Sequence, residues 1–289
     1  MPSRSSTGRR ASSPCCCRTR RARTPRSRSS VRRRRTRGAD RLLRRTFIHV
    51  EGIGPEVEQA LWRQGCTDWE TFLDSPDWFD VGPADRQRVA DQLRESVDRL
   101  AAGDHAYFAR RLGLVHAWRA YPDFRDRCAY LDIETDGGRF GKSITLIGLY
   151  DGEEFHHWVR GEGLEGFRDA ISHYSMVVTF FGSRFDLPLL EQRFRGLRFD
   201  QIHLDLCPTL RRIGLSGGLK RIEKELGIVR GEDVEGLGGR DAIHLWKAYE
   251  LGHDEEALRR LIAYNREDVV NLETLAVYAY GKLSKAVFG

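Results

Sequence analysis

The sequence predicts an α/β domain with a mixed β-sheet and helices on both faces, preceded by a small all-helical region and an Arg-rich tail. Three observations predict this fold. β-Rich segments at 128–135, 143–151 and 154–159 follow one another as antiparallel strands, helix and strand patterns then alternate, and the C-terminal part has a helical pattern. Antiparallel strands followed by α/β alternation build a mixed sheet that is covered by helices on both faces.

The alternating part is predicted as helices at 164–174 and 187–194 and strands at 176–181 and 201–204. The segment "DGGRFGK" between the first two strands is typical of a hairpin connection. Asp205 follows the last strand and is expected to cap the helix after it.

We divide the chain into a disordered Arg/Ser-rich tail (1–45), a helical region (46–118) and the α/β domain (119–289). The tail contains 17 arginines and one acid, so it carries +16, and the total of +6 leaves −10 for the rest of the chain. A nucleic-acid substrate would therefore need a local basic groove on an acidic body.

Two interpretations of the tail remain open. It would hold phosphate backbones nonspecifically, or it is a translated upstream stretch with a misassigned start, which the triplet Cys15, Cys16 and Cys17 favours. We expect deletion of residues 1–38 to leave the chemistry intact.

The sequence contains no run of about 18 apolar residues, and its Arg-rich start lacks the apolar stretch of a signal peptide. We therefore expect no membrane partner and a cytoplasmic location.

The helical region begins with a glycine turn. Gly52 and Gly54 flank a tight turn, and Pro55 suits the first position of a helix. The pattern resembles a helix-hairpin-helix unit, in which such a turn exposes backbone N–H groups to a phosphate. In the alternative interpretation the turn joins two packed helices and binds no nucleic acid. Further helices are expected at 69–73, 83–100 and 104–114.

The first acidic motif lies in "YLDIETDGG". Asp132 and Glu134 are two residues apart on a predicted strand, so both project from the same face of the sheet. Carboxylates on a sheet face are costly unless a metal ion or an arginine compensates their charge.

Two further segments supply acids. "VVTFFGSRFDLPLL" carries Asp186 at the start of a helix, where it would be a metal ligand or simply an N-cap. In "LIAYNREDVVNLETL", Tyr264 and Asp268 are four residues apart and share one helical face. The alternative makes Tyr264 a core aromatic and Asp268 a solvent-exposed acid.

The segments "DIET", "FFGSRFDLPLL" and "YNREDVVNL", in this order, resemble the three motifs of the DnaQ-like (DEDD, tyrosine variant) 3′–5′ exonucleases, which have a ribonuclease H-like fold. The chain is most similar to the YprB-type branch, which is related to the proofreading exonuclease domain of family B DNA polymerases. Residues 218–246 also resemble the linker of that branch, and the resemblance covers roughly residues 125–285.

The resemblance implies that Asp132, Glu134, Asp186 and Asp268 hold two divalent cations, Mg²⁺ or Mn²⁺, and that Tyr264 orients the attacking water. It implies hydrolysis of phosphodiester bonds at the 3′ end of single-stranded nucleic acid, with DNA favoured over RNA. Two alternatives remain: a catalytically silent nucleic-acid-binding module, and a structure-specific endonuclease on the same fold.

One departure from the family concerns the second motif, where Asn-Gly is usual and this chain has Phe181-Gly182. The change removes no metal ligand but would alter how the terminal nucleotide is held. Phe181, Phe185 and Phe140 would stack on bases. Lys220 would contact the nucleic acid, or else it lies on an ordinary solvated helix face. The candidate nucleic-acid contacts are Gly52, Gly54, Phe181, Gly182, Arg184, Phe185 and Lys220.

Overall fold

The computed structural model describes residues 42–137 and 143–288. Most of the tail that we expect to be disordered, and Phe140, lie outside these residues. Within the described ranges, no helix is both long enough and apolar enough to cross a lipid bilayer.

The N-terminal part is helical, as predicted. Pro55 starts α1, and the side chain of Asp68 accepts a hydrogen bond from the backbone N–H of Thr71 and so caps α2. In the described residues before α1 (42–54) the chain forms one 3₁₀ turn, Leu43–Arg45, which is shorter than the first helix of a helix-hairpin-helix unit. The helices are α1 (Pro55–Arg63), α2 (Trp69–Asp74), α3 (Arg86–Ala101), α4 (His105–His116) and α5 (Tyr121–Phe124).

A five-stranded mixed sheet follows, as the sequence predicts. Its spatial order is β3-β2-β1-β4-β5. Strand β1 pairs antiparallel with β2 and parallel with β4, while β2 pairs antiparallel with β3 and β4 pairs parallel with β5. The strands are β1 (Cys128–Thr135), β2 (Ile144–Tyr150), β3 (Phe155–Val159), β4 (Met176–Thr179) and β5 (Ile202–Asp205).

Helices cover both faces of the sheet. Leu131 and Val177 pack with Phe167 of α6 and Leu190 of α7 on one face. On the other face, the long helix α11 covers β1 and β2. The remaining helices are α6 (Gly166–Ile171), α7 (Asp186–Arg193), α8 (Leu206–Arg211), α9 (Leu219–Glu225), α10 (Gly239–Gly252) and α11 (Glu255–Phe288).

One hydrophobic core joins the N-terminal helices to the sheet. Phe108 of α4 belongs to the same cluster as Tyr130 of β1, Ile202 of β5 and Leu272 of α11. This continuity means that the N-terminal helices and the α/β part bury their apolar surface together.

A buried ion pair reinforces this junction. Glu58 of α1 pairs with Arg119, which follows α4, at 2.8 Å. Glu58 also accepts hydrogen bonds from the backbone N–H groups of Phe47 and Ile48. The segment before α1 is thereby fixed to the connection that enters the sheet.

Candidate metal centre and active site

Strand β1 places two carboxylates beneath α11. Side chains alternate along the strand, so Leu131 and Ile133 point into the core formed with α6 and α7, whereas Asp132 and Glu134 point to the opposite face. Both acids are half-buried there.

Helix α11 supplies the facing side chains. Tyr264, Asn265 and Asp268 follow the spacing of one helical face, and all three are buried. Tyr264 packs with Leu261 and with Leu146 of β2. Because this face packs on β1 and β2, the phenol, the amide and the carboxylate lie against the acids of β1.

The acids of β1 and α11 converge. One carboxylate oxygen from each of Asp132, Glu134 and Asp268 lies within 4.8 Å of the other two. We refer to these three residues as the acidic cluster. Hard divalent cations such as Mg²⁺ and Mn²⁺ prefer oxygen ligands, and a group of buried carboxylates needs such a counter-charge, so the donor set fits a metal ion.

All three carboxyl groups of the acidic cluster have raised pKa values. Burial raises the pKa of Asp132 well above its usual value, and the charges of Asp186 and Glu134 raise it further. Burial and the charge of Asp268 raise the pKa of Glu134 to about 8. Burial also raises the pKa of Asp268, although Arg230 opposes this rise. Such shifts indicate negative charge that the protein only partly neutralises by itself.

Asp186 lies beside the cluster, but none of its oxygens belongs to the group of three described above. It is the first residue of α7, and its Oδ1 accepts a hydrogen bond from the backbone N–H of Ile133 at 3.1 Å. Strand β1 pairs with β4 only as far as Tyr130. Beyond that point, the carboxylate of Asp186 accepts the hydrogen bond of the Ile133 backbone N–H. Burial raises the pKa of Asp186 to about 7.

Among the residues that the structure describes, two cations face the cluster. Lys220 of α9 donates a hydrogen bond to the hydroxyl of Tyr264, and its Nζ lies 4.2 Å from the centre of the ring. Arg230 donates to Asp268 and also binds Glu223 through two hydrogen bonds of 2.7 Å. Lys220 therefore points into this site and is not part of a fully solvated helix face.

The comparison with known families agrees with this architecture. The family model RNase_H_2, described as RNase_H superfamily, matches residues 129–280, which is more than half of the chain. The chain belongs to the RNase H superfamily. No curated protein and no solved structure gave a significant match.

Membership of the RNase H superfamily suggests a nuclease that acts on nucleic acid. Nucleases of this superfamily use divalent metal ions, and the buried acidic cluster is a suitable place for them.

Two residues of this RNase H superfamily site were missed by the sequence analysis. Asn265 donates from Nδ2 to Asp132 Oδ2 at 2.9 Å, and Arg230 holds Asp268. The sequence spacing could have revealed Asn265, because it lies three residues before Asp268 on the same helical face. Arg230 lies in an irregular connection between α9 and α10, where no periodicity reveals its direction.

The loop between β4 and α7 borders the site. Asp205 accepts hydrogen bonds from the backbone N–H groups of Phe181 and Ser183, at 2.8 and 3.0 Å. Asp205 also accepts one from the N–H of Cys207, which confirms the predicted cap of α8. One carboxylate thus fixes the loop to the start of α8, an arrangement that the sequence analysis did not foresee.

The loop exposes its aromatic rings. Phe181 has a φ of 69° and is 48% exposed, and Phe185 is 40% exposed. Arg184 between them is also exposed. Gly182 lies so close to Thr179 that an added Cβ would be 2.3 Å from the Thr179 hydroxyl oxygen, so no side chain fits there.

Gly52 and Gly54 lie in the turn before α1. Gly52 has a φ of 86°, which favours glycine, and Gly54 is the N-cap of α1. The first turn of α1 also contains Glu56 and Glu58. Arg119 neutralises Glu58, but the exposed Glu56 makes the turn less suited to a phosphate than the sequence pattern alone indicates.

Proposed function

We propose that this RNase H superfamily protein is a metal-dependent 3′–5′ exonuclease of the DnaQ-like, YprB-type branch, acting on single-stranded nucleic acid with DNA favoured over RNA. The observation that carries the proposal is the convergence of Asp132, Glu134 and Asp268 within 4.8 Å, beside Tyr264. These are residues from two of the three motifs that resemble this branch.

In this proposal, Asp132, Glu134 and Asp268 would hold one divalent cation, and Asp132 would hold a second together with Asp186, which would act directly or through water. Two such ions, Mg²⁺ or Mn²⁺, would supply a hydroxide nucleophile at neutral pH and would offset the charge on the phosphoryl group. Asp186 is one hydrogen bond away from β1, and its charge already affects the pKa of Asp132, so it lies close enough to support this role.

Tyr264 would orient the attacking water rather than remove its proton. Burial and the neighbouring charge of Asp268 raise the pKa of its hydroxyl far above the usual value, so the phenol stays protonated at neutral pH. The hydroxyl accepts a hydrogen bond from Lys220, which leaves its own proton available for the oxygen of a water molecule.

The 3′ end would approach past the loop between β4 and α7. Exposed Phe181 and Phe185 offer faces for base stacking, and Arg184 offers a charge for the backbone. Lys220 would contact the scissile phosphate from inside the site. Gly52 and Gly54 would contact more distant phosphates.

The experiment is a digestion of end-labelled single strands of DNA and of RNA by the purified protein with Mg²⁺ or Mn²⁺. We expect 5′-labelled strands to shorten progressively from the 3′ end, with release of nucleoside monophosphates. Activity should disappear in EDTA and in Asp132→Ala. Glu255→Ala, at the exposed start of α11, is the matched control and should retain full activity.

Two other results would each favour one of the alternative functions. Binding without cleavage under all metal conditions would favour the catalytically silent module. Internal cuts in a strand whose 3′ end is blocked would favour the endonuclease.

A further inference from the structure

Gly148 of β2 faces the site directly. In the β1–β2 pairing, Gly148 is the partner of Asp132, so the two residues lie on the same face of the sheet, beneath α11. β2 is otherwise almost entirely buried and mostly apolar, and a glycine in such a strand is unfavourable and commonly marks a place where another group comes close.

The group that comes close is Asn265. A Cβ added to Gly148 would lie 1.7 Å from Asn265 Oδ1 and 2.8 Å from its Cγ. The side chain of Asn265 therefore occupies the space that any other residue at position 148 would fill.

The side-chain amide of Asn265 points its Nδ2 at Asp132 and its Oδ1 at Gly148. Its Nδ2 donates to Asp132 Oδ2 at 2.9 Å, while Oδ1 lies against Gly148 and finds no donor in the described part of the chain. When Asp132 is ionised, as a metal ligand must be, rotating the amide would place Oδ1 against the carboxylate, where two oxygens repel. A fully buried amide with one unpaired oxygen is costly, and its bond to a charged carboxylate offsets that cost.

We propose that Asn265 is a positioning residue that fixes the carboxylate of Asp132, and that Gly148 is required because it makes room for the Asn265 amide. This inference rests on the proposed nuclease function and adds to it a pair of residues that act through Asp132. With Oδ2 held by the amide, the orientation of the Asp132 carboxylate is set before a metal ion binds.

The test is a double-mutant cycle with Asn265→Ala, Gly148→Ala and the double variant, assayed on single-stranded DNA with Mn²⁺. Each single substitution should lower kcat about 10- to 100-fold, with little change in KM for DNA. Replacing a residue that hydrogen-bonds a metal ligand typically lowers activity by this much. The double variant should be no worse than the worse single variant, because both substitutions remove the same interaction.

Thermal unfolding distinguishes a loss of positioning by Asn265 from a loss of activity that is caused by a destabilised fold. Gly148→Ala alone should be less stable than the double variant, because Asn265→Ala removes the atoms that the new Cβ would strike. Gly166→Ala is the matched control, since its Cβ would meet Trp158 on the other side of the sheet, and it should retain wild-type kcat.

Wild-type kcat in Asn265→Ala, or additive losses in the double variant, would overturn the inference. A wild-type protein without nuclease activity would refute the proposed function but still allow a test of the positioning. In that case Mn²⁺ should raise the Tm of the wild type more than that of Asn265→Ala, and equal shifts would overturn the inference.

Discussion

Arg230 binds Asp268 and Glu223 with one guanidinium group. Its Nη2 donates to Asp268 Oδ1 and to Glu223 Oε1, and its Nε donates to Glu223 Oε2 at 2.7 Å. Asn271 also donates to Glu223, at 3.0 Å. The side chains of Arg230, Glu223 and Asp268 are all less than a tenth exposed, so the group is a buried charge network beside the acidic cluster.

Replacing Arg230 by Gln should destabilise the protein strongly. Two buried carboxylates, Glu223 and Asp268, would lose their shared counter-charge, and breaking a buried ion pair typically costs about 3–5 kcal/mol. Urea unfolding in EDTA measures the loss. Arg260→Gln, an exposed substitution on the same helix as Asp268, should change the free energy of unfolding little. Equal stability of the two variants would show that the network contributes nothing.

The stability of the metal-free protein should fall as the pH rises from about 6.5 to about 8. Below that range, the lowered pKa values of His49, His116 and His203, which are partly or fully buried, act in the opposite direction. Glu134 has a pKa of about 8 and Asp186 of about 7 in the folded protein, both above their usual values. A raised carboxylate pKa stabilises the fold at low pH, and this stabilisation is lost as the pH passes through the folded-state pKa.

The Tm in EDTA across this pH range measures the effect. Saturating Mn²⁺ should reduce the decline, because a cation replaces the protons on the carboxylates. Glu134→Gln should show a smaller decline than the wild type in EDTA. A decline of wild-type size in Glu134→Gln would contradict the assignment of the effect to this carboxylate.

Phe181→Asn should stabilise the fold while weakening the binding of single-stranded DNA. The φ of 69° is unfavourable for phenylalanine and better tolerated by asparagine, so relief of about 1 kcal/mol is expected. Loss of a stacking surface should raise KM about tenfold. Phe185→Ala is the control: Phe185 has a φ of −125°, so the substitution relieves no strain and should weaken binding without stabilising the protein. Unchanged KM in both variants would exclude the rings from the substrate path.

Glu58→Gln should lower the stability of the whole described structure in one step. The substitution leaves Arg119 buried without its charged partner, and the N-terminal helices share a core with the sheet. Differential scanning calorimetry should show a single transition at a lower Tm. Glu56→Gln, exposed on the same helix, is the matched control. Two separate transitions, with only the first one shifted, would mean that the N-terminal region unfolds independently.

The sequence predicted the elements of the fold well because their periodicities are strong. The segment 128–135 alternates clearly and forms β1 with the same limits, and Asp205 caps α8 as its position after the last strand indicated. The spacing of Tyr264 and Asp268 predicted a shared helical face, which the structure contains. These are local relationships that neighbouring residues determine.

What the sequence did not reveal depends on contacts between distant segments. The role of Gly148 depends on its register with Asp132 across two strands, and on a helix more than a hundred residues later. Arg230 has no periodic neighbours, so nothing local indicates that it reaches Asp268. The positive φ of Phe181 becomes intelligible only when Asp205 is seen to hold the backbone of its loop.

Metal binding by the acidic cluster can be measured by calorimetric titration of Mn²⁺ into the metal-free protein and into Asp132→Asn, Asp268→Asn and Glu255→Gln. We expect the wild type and Glu255→Gln to bind Mn²⁺ alike, and each aspartate variant to lose a binding site or to bind at least about tenfold more weakly. No binding by the wild type, or the same binding by all four proteins, would contradict the claim that the acidic cluster is a metal centre.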